Sequence, residues 1–112
     1  MKEVKNYING RYTNSIEDKY FNNINPATGE VLSIVHEAGR KDVDMAVCAA
    51  REALKGSWGQ LTVSERTEIL YRVADGINKR FDEFLEAECL DTGKPHSLAR
   101  HIDIPRGAAN FK

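Results

Sequence analysis

No apolar run in the sequence approaches the ~20 residues of a membrane-spanning helix, and the opening MKEVKNYING lacks the apolar core of a signal peptide. Both absences predict a cytoplasmic protein. An excess of one charge is also missing. Lysine and arginine total 16 against 17 for aspartate and glutamate, and the basic residues are scattered, so no field draws in nucleic acid or an anionic membrane. Cysteine is scarce. Cys48 and Cys89 form no CxxC, which excludes a zinc knuckle or a thioredoxin-type site and leaves two reduced packing residues. The eight glycines are dispersed, with neither GxGxxG nor a Walker loop among them, so no phosphate cradle is visible. His36, His96 and His101 have no ligand spacing and read as surface histidines. Ser57, Ser64 and Ser97 lack a nucleophile-elbow context, and the acidic pairs Asp82-Glu83 and Glu86/Glu88 read as a solvated helix face. The residues themselves therefore show no catalytic constellation. At 112 residues the chain fits one domain, yet is small for an enzyme with a cofactor cleft and a separate substrate site.

What is present is dominated by the stretch from Thr62 to Pro95. Ile69, Leu70, Val73, Ala74, Ile77, Phe81, Phe84, Leu85 and Leu90 recur in steps of three and four, with Arg72, Asp75, Lys79 and Glu83 on the other face. This is a helical period that no strand can satisfy. Thr62 and Glu65 form a capping box and place the start near Val63. Asp82 is a second candidate cap after a break near 79–81, so the stretch is one long helix or two stacked ones. Gly93 and Pro95 in LDTGKP then stop the helix.

Upstream, Tyr7-Ile8 and Arg11-Tyr12 flank Asn9-Gly10, a type I′ hairpin signal. Tyr20 to Ile24 and Val31 to Val35 are further extended pieces joined by the turn NPATG. A helix opens at Asp42, carries Val43, Ala46, Val47, Ala50, Ala53 and Leu54 on its apolar face, and ends at Lys55-Gly56; Trp58 follows as an anchor. The result is a layer of short antiparallel strands followed by packed helices. After Pro95 another helix begins, with Asp103 as its cap and Pro105 tolerated in its first turn. Its apolar face, Ala108, Ala109 and Phe111, has only just begun when the sequence ends at Lys112, which reads as a truncated frame.

The ordered set NYINGRY, INPATGEVL, the helix from Asp42, SERTEILYRVADGI and LDTGKP resembles the N-terminus of aldehyde dehydrogenases over nearly the whole chain. More narrowly, VHEAGR, FDEFLEAECLDTGKP and HIDIPRGAANFK resemble the 2-hydroxymuconic semialdehyde dehydrogenases of aromatic ring-cleavage pathways. The resemblance implies an α/β fold whose main parallel sheet lies outside this chain. Residues 1–112 would be the N-terminal part of its NAD-binding domain. It implies NAD-dependent oxidation of a semialdehyde to a carboxylate by a homo-oligomeric full-length enzyme, through a cysteine thiolate and a glutamate-activated water. In the family those groups and the cofactor glycines lie downstream, so this segment alone is expected to be inert. Neither Cys48 nor Cys89 matches the nucleophile's motif.

Two features carry over from the resemblance. Asn23 and Ile24, by their carbonyls, and Asp91 correspond to ligands of a monovalent cation, whose hard character suits oxygen donors; the alternative is that Asp91 caps backbone donors. Arg106 corresponds to a position near the substrate entrance, where its fork would grip the carboxylate of a muconic semialdehyde, the alternative being an ordinary surface arginine. Hydroxy and amino muconic semialdehydes stay open as substrates, as do other carboxylated aldehydes. A stand-alone helical interaction module is the reading from a different class.

Overall fold

The computed structural model describes residues 2–112. They form two compact units, one running up to Ile24 and over Glu30–Gln60, the other made of Asn25–Gly29 and Leu61–Lys112.

The first unit contains β1 (Lys2–Val4), β2 (Asn6–Ile8), β3 (Arg11–Thr13), β4 (Tyr20–Ile24) and β5 (Val31–His36), then α1 (Arg40–Lys55) and α2 (Ser57–Gln60). The β2–β3 hairpin turns through Asn9 and Gly10, both at positive φ as a type I′ turn requires. Tyr7 and Tyr12 stand directly opposite each other, their rings edge to face at 4.9 Å. In the second sheet β5 is central, antiparallel to β4 and parallel to β1. The parallel strand is an addition to the expected antiparallel layer. Three residues, KEV, are too few to show a period, and a long-range pairing leaves no local signature.

His36, expected at the surface, is buried at the end of β5. Its Nδ1 accepts the Ser15 N–H at 3.2 Å, which puts the ring proton on Nε2, where it donates to Glu3 Oε1 at 2.6 Å. One ring thus fastens both β1 and the loop after β3. The hydrogen bond from His36 is the main reason the Glu3 carboxyl lies below its ordinary range; partial desolvation opposes it and Lys5 adds to it.

Helix α1 starts at Arg40, two residues before the expected Asp42. Asp42 still does the capping, from inside the first turn. Its buried carboxylate accepts the Gly39 N–H at 2.9 Å and the Ile16 N–H at 3.2 Å, tying the helix start to the loop that follows β3. The apolar face of α1 is mostly exposed: Val43, Val47 and Leu54 all face outward in this unit, and so does Cys48, which was expected to pack. A helical period reports that an apolar face exists, not what covers it. Trp58 is half-buried in α2.

In the second unit, α3 (Val63–Lys79) opens with the expected capping box: Thr62 Oγ1 accepts the Glu65 N–H at 3.2 Å and Glu65 Oε2 accepts the Thr62 N–H at 2.7 Å. Two stacked helices form, since α4 (Phe81–Thr92) begins after a break at Arg80. Asp82 does not cap it. Both Asp82 and Glu83 lie inside the first turn, and Glu83 instead takes the Arg80 guanidinium at 2.7 Å. Leu85 and Cys89 of α4 pack with Ala99 and Ile104, flanked by Ile77 and Phe81. Burying a leucine like Leu85 contributes roughly 1.5–3 kcal/mol.

The chain then reverses at Gly93, which has φ 73° and donates its N–H to Cys89 O at 2.9 Å. On the other side lies the NPATG turn, closed by Asn25 Oδ1 on the Ala27 N–H at 2.9 Å and by Asn25 O on the Gly29 N–H at 2.8 Å. A Cβ on Gly93 would stand 2.9 Å from Pro26 Cγ. Two motifs separated in sequence therefore meet at a glycine. The segment continues through α5 (His96–Leu98), a π turn (Ala99–Asp103) and α6 (Ile104–Ala109).

Gly93→Ala should lower stability by about 1–2 kcal/mol through the left-handed backbone alone, with displacement of Pro26 adding to it. Gly76→Ala, inside α3 with open space around it, should raise stability by about 0.5–1 kcal/mol. Opposite shifts of the urea midpoint are expected; shifts of one sign would contradict the account of the reversal.

Candidate functional site

The polar groups of the second unit gather where α4 ends and the chain runs through α5, the π turn and α6. Lys94, the first residue past the Gly93 cap, reaches Asp103 at the end of the π turn with Nζ 3.0 Å from each carboxylate oxygen. Asp103, expected to cap α6, makes no side-chain cap bond there. Its carboxylate is committed to Lys94. The two side chains are partly buried, at 40% and 24% exposure, unlike the solvated pairs His96–Glu86 and Arg100–Asp82 nearby. Arg100 also lies over the Phe81 ring at 5.6 Å.

Arg106 is the third residue of α6 and is exposed. Ile104 and Ala108 on either side of it are buried, so they anchor the helix and leave the guanidinium pointing outward. It makes no ion pair among the described residues. Pro105 is the second residue of α6, directly after the π turn, and has no N–H to return to the preceding turn.

Asp91 lies in the last turn of α4, exposed, with no basic residue in that turn. A carboxylate at a helix C-terminus sits against the negative end of the dipole. Asn23, half-buried, and Ile24, exposed, are the last residues of β4, and a bulge interrupts the β4–β5 ladder between them. They lead directly into Asn25 of the NPATG turn.

The two cysteines part company. Cys89 is a core residue whose thiol is pushed up, first by burial and then by the nearby carboxylates of Glu86, Glu88 and Asp103. A thiol so held is a poor nucleophile. Cys48, expected to pack, is exposed on α1. His96 and His101 are exposed as expected. Among the described residues no group of three or more histidine, cysteine or acidic side chains is placed to hold a metal ion, and no helix is long and apolar enough to cross a membrane. The Lys94–Asp103 pair had no signature in the sequence, because a contact nine residues apart through a turn matches no helical or strand period.

The geometry is shared with known proteins. The aldehyde dehydrogenase family model matches residues 12–112. The chain is 69% identical over 112 residues to a 2-hydroxymuconic semialdehyde dehydrogenase of Pseudomonas sp. (strain CF600), with all of this chain and 23% of that protein covered. It is 46% identical over 112 residues to a 2-aminomuconic 6-semialdehyde dehydrogenase of Pseudomonas sp, covering 100% of this chain and 22% of that one. An aldehyde dehydrogenase from Bacillus cereus solved as an NAD+ complex superimposes with a TM-score of 0.94 at 40% identity, over 98% of this chain and 23% of that one. The chain thus spans about a quarter of the length of the relatives it matches. With the family model covering nearly all of it, and the strand, turn and cap motifs in their expected places, the chain belongs to the aldehyde dehydrogenase family.

Proposed function

We propose that this chain is the N-terminal part of an NAD-dependent dehydrogenase that oxidises 2-hydroxymuconic semialdehyde to the carboxylate in the degradation of aromatic compounds. The 69% identity to a relative of that name carries the reading. The 2-aminomuconic relative at 46% identity keeps the amino analogue as the second substrate.

The glycines present do not fit a cofactor cradle. Gly10 and Gly29 sit in turns at positive φ, Gly93 caps α4, and Gly76 and Gly107 lie inside helices. NAD would therefore be held by residues outside this chain. The contribution of this chain to substrate binding is Arg106, whose exposed guanidinium is free to take a carboxylate bidentately. That chemistry separates a semialdehyde bearing a remote carboxylate from an uncharged aldehyde. Asp91, at the negative end of α4, is the proposed carboxylate donor to a monovalent cation, with the carbonyls of Asn23 and Ile24 as further oxygens.

In the full-length enzyme, Arg106→Ala should raise KM for the carboxylated semialdehyde far more than for an uncharged aldehyde. The selective loss in kcat/KM should be on the order of 1.5–3 kcal/mol. Steady-state kinetics on both substrates check this; an equal loss on both would make Arg106 a structural residue.

Asp91→Ala should abolish the rise in melting temperature that potassium gives over a bulky organic cation, because an ion bound only by the folded state stabilises it by mass action. Equal potassium responses in parent and variant would leave Asp91 as a cap.

A further inference from the structure

The path from α5 to α6 is not a regular helix. Ile104 donates its backbone N–H to Ala99 O, an i→i−5 bond that closes the π turn over Ala99–Asp103. Such a turn inserts one residue into the helical path, so everything after it is rotated by about 100° relative to an uninterrupted α-helix. Arg106 is three residues beyond Asp103. The direction in which its side chain leaves α6 is therefore set by whether the π turn forms.

Turns of this kind are rare and occur mostly singly inside α-helices, and two sets of neighbouring groups hold this one. One hold is apolar: Ala99, fully buried, and Ile104, nearly so, bracket the turn in the core with Leu85 and Cys89. The other is the ammonium of Lys94, 3.0 Å from both oxygens of Asp103. Lys94 is itself fixed by the reversal at Gly93 immediately before it. The other two ion pairs near this segment join exposed side chains, and pairs of that sort contribute little.

We infer that Lys94 is a positioning residue for substrate selection: by holding both carboxylate oxygens of Asp103 it fixes the π turn and so aims Arg106. This rests on Arg106 being the grip for the substrate carboxylate. Lys94 touches no substrate. Its effect on selectivity passes through Asp103, the π turn and the first turn of α6.

The test uses the full-length enzyme, a carboxylated semialdehyde and an uncharged aldehyde. Lys94→Met should raise KM for the carboxylated substrate on the order of 10-fold more than for the uncharged one, the size expected when a binding group is mis-aimed. Lys94→Arg should recover part of this, since its fork still meets both oxygens of Asp103. Added to Arg106→Ala, Lys94→Met should bring no further selective loss, because both act through one contact. Asp103→Asn gives the same readout should Lys94→Met fold poorly. Equal losses on both substrates from Lys94→Met or Asp103→Asn, or full additivity with Arg106→Ala, would overturn the inference. The Arg106→Ala arm on its own decides the reading beneath it: if that variant affects both substrates equally, the grip is elsewhere, whatever Lys94 does.

Discussion

The reversal at Gly93 is the constraint on which the second unit depends. A single residue ends α4 in the left-handed conformation, closes the last turn on Cys89 O, and leaves no room for a Cβ against Pro26. Two requirements, a positive φ and a close approach, fall on the same position, and only glycine meets both. The next residue, Lys94, is thereby delivered to Asp103, and the following segment is folded back onto Leu85 and Cys89. The motif LDTGKP is thus more than a stop signal, because its last turn, its cap and its lysine each meet a different neighbour.

The first unit is held by polar locks rather than by apolar bulk. Asp42 is almost fully buried and is compensated by backbone N–H groups of Ile16 and Gly39. His36 is buried between the Ser15 N–H and Glu3. Removing either acceptor would strand N–H groups, that of Ser15 buried and those of Ile16 and Gly39 partly buried, and an unmet donor costs more than the bond contributes when made. Around these locks many large apolar side chains, among them Val43, Val47 and Leu54, remain at the surface of the chain. An apolar face of that extent fits a layer that covers, or is covered by, other protein.

Local chemistry made much of this legible. The Asn9-Gly10 turn, the Thr62/Glu65 capping box, the break near Arg80 and the Gly93 cap each depend on a few adjacent residues, and each formed where the residue types required it. The features that escaped depend on distant partners. Strand β1 exists only because β5 pairs with it, His36 is buried only because Glu3 and Ser15 close over it, and Asp103 turns from a cap into an ion-pair partner only because Lys94 arrives from across the reversal. Cys48 and the apolar face of α1 show the converse. Their periodicity was legible, but the surface that would bury them is not among the described residues. For the site, Arg106 and Asp91 were reached through family resemblance and not through spacing, since a lone exposed arginine and a helix-end aspartate carry no pattern of their own.

The proposed division of labour gives this chain positioning and the grip on a substrate carboxylate, and leaves the cofactor and the reacting groups to residues outside it. A calorimetric titration of this chain with NAD tests that most directly. No saturable heat is expected at affinities tighter than roughly millimolar. Saturable binding in the micromolar range would contradict the claim, and would place a cofactor site on a segment whose glycines are all committed to turns, caps and helices.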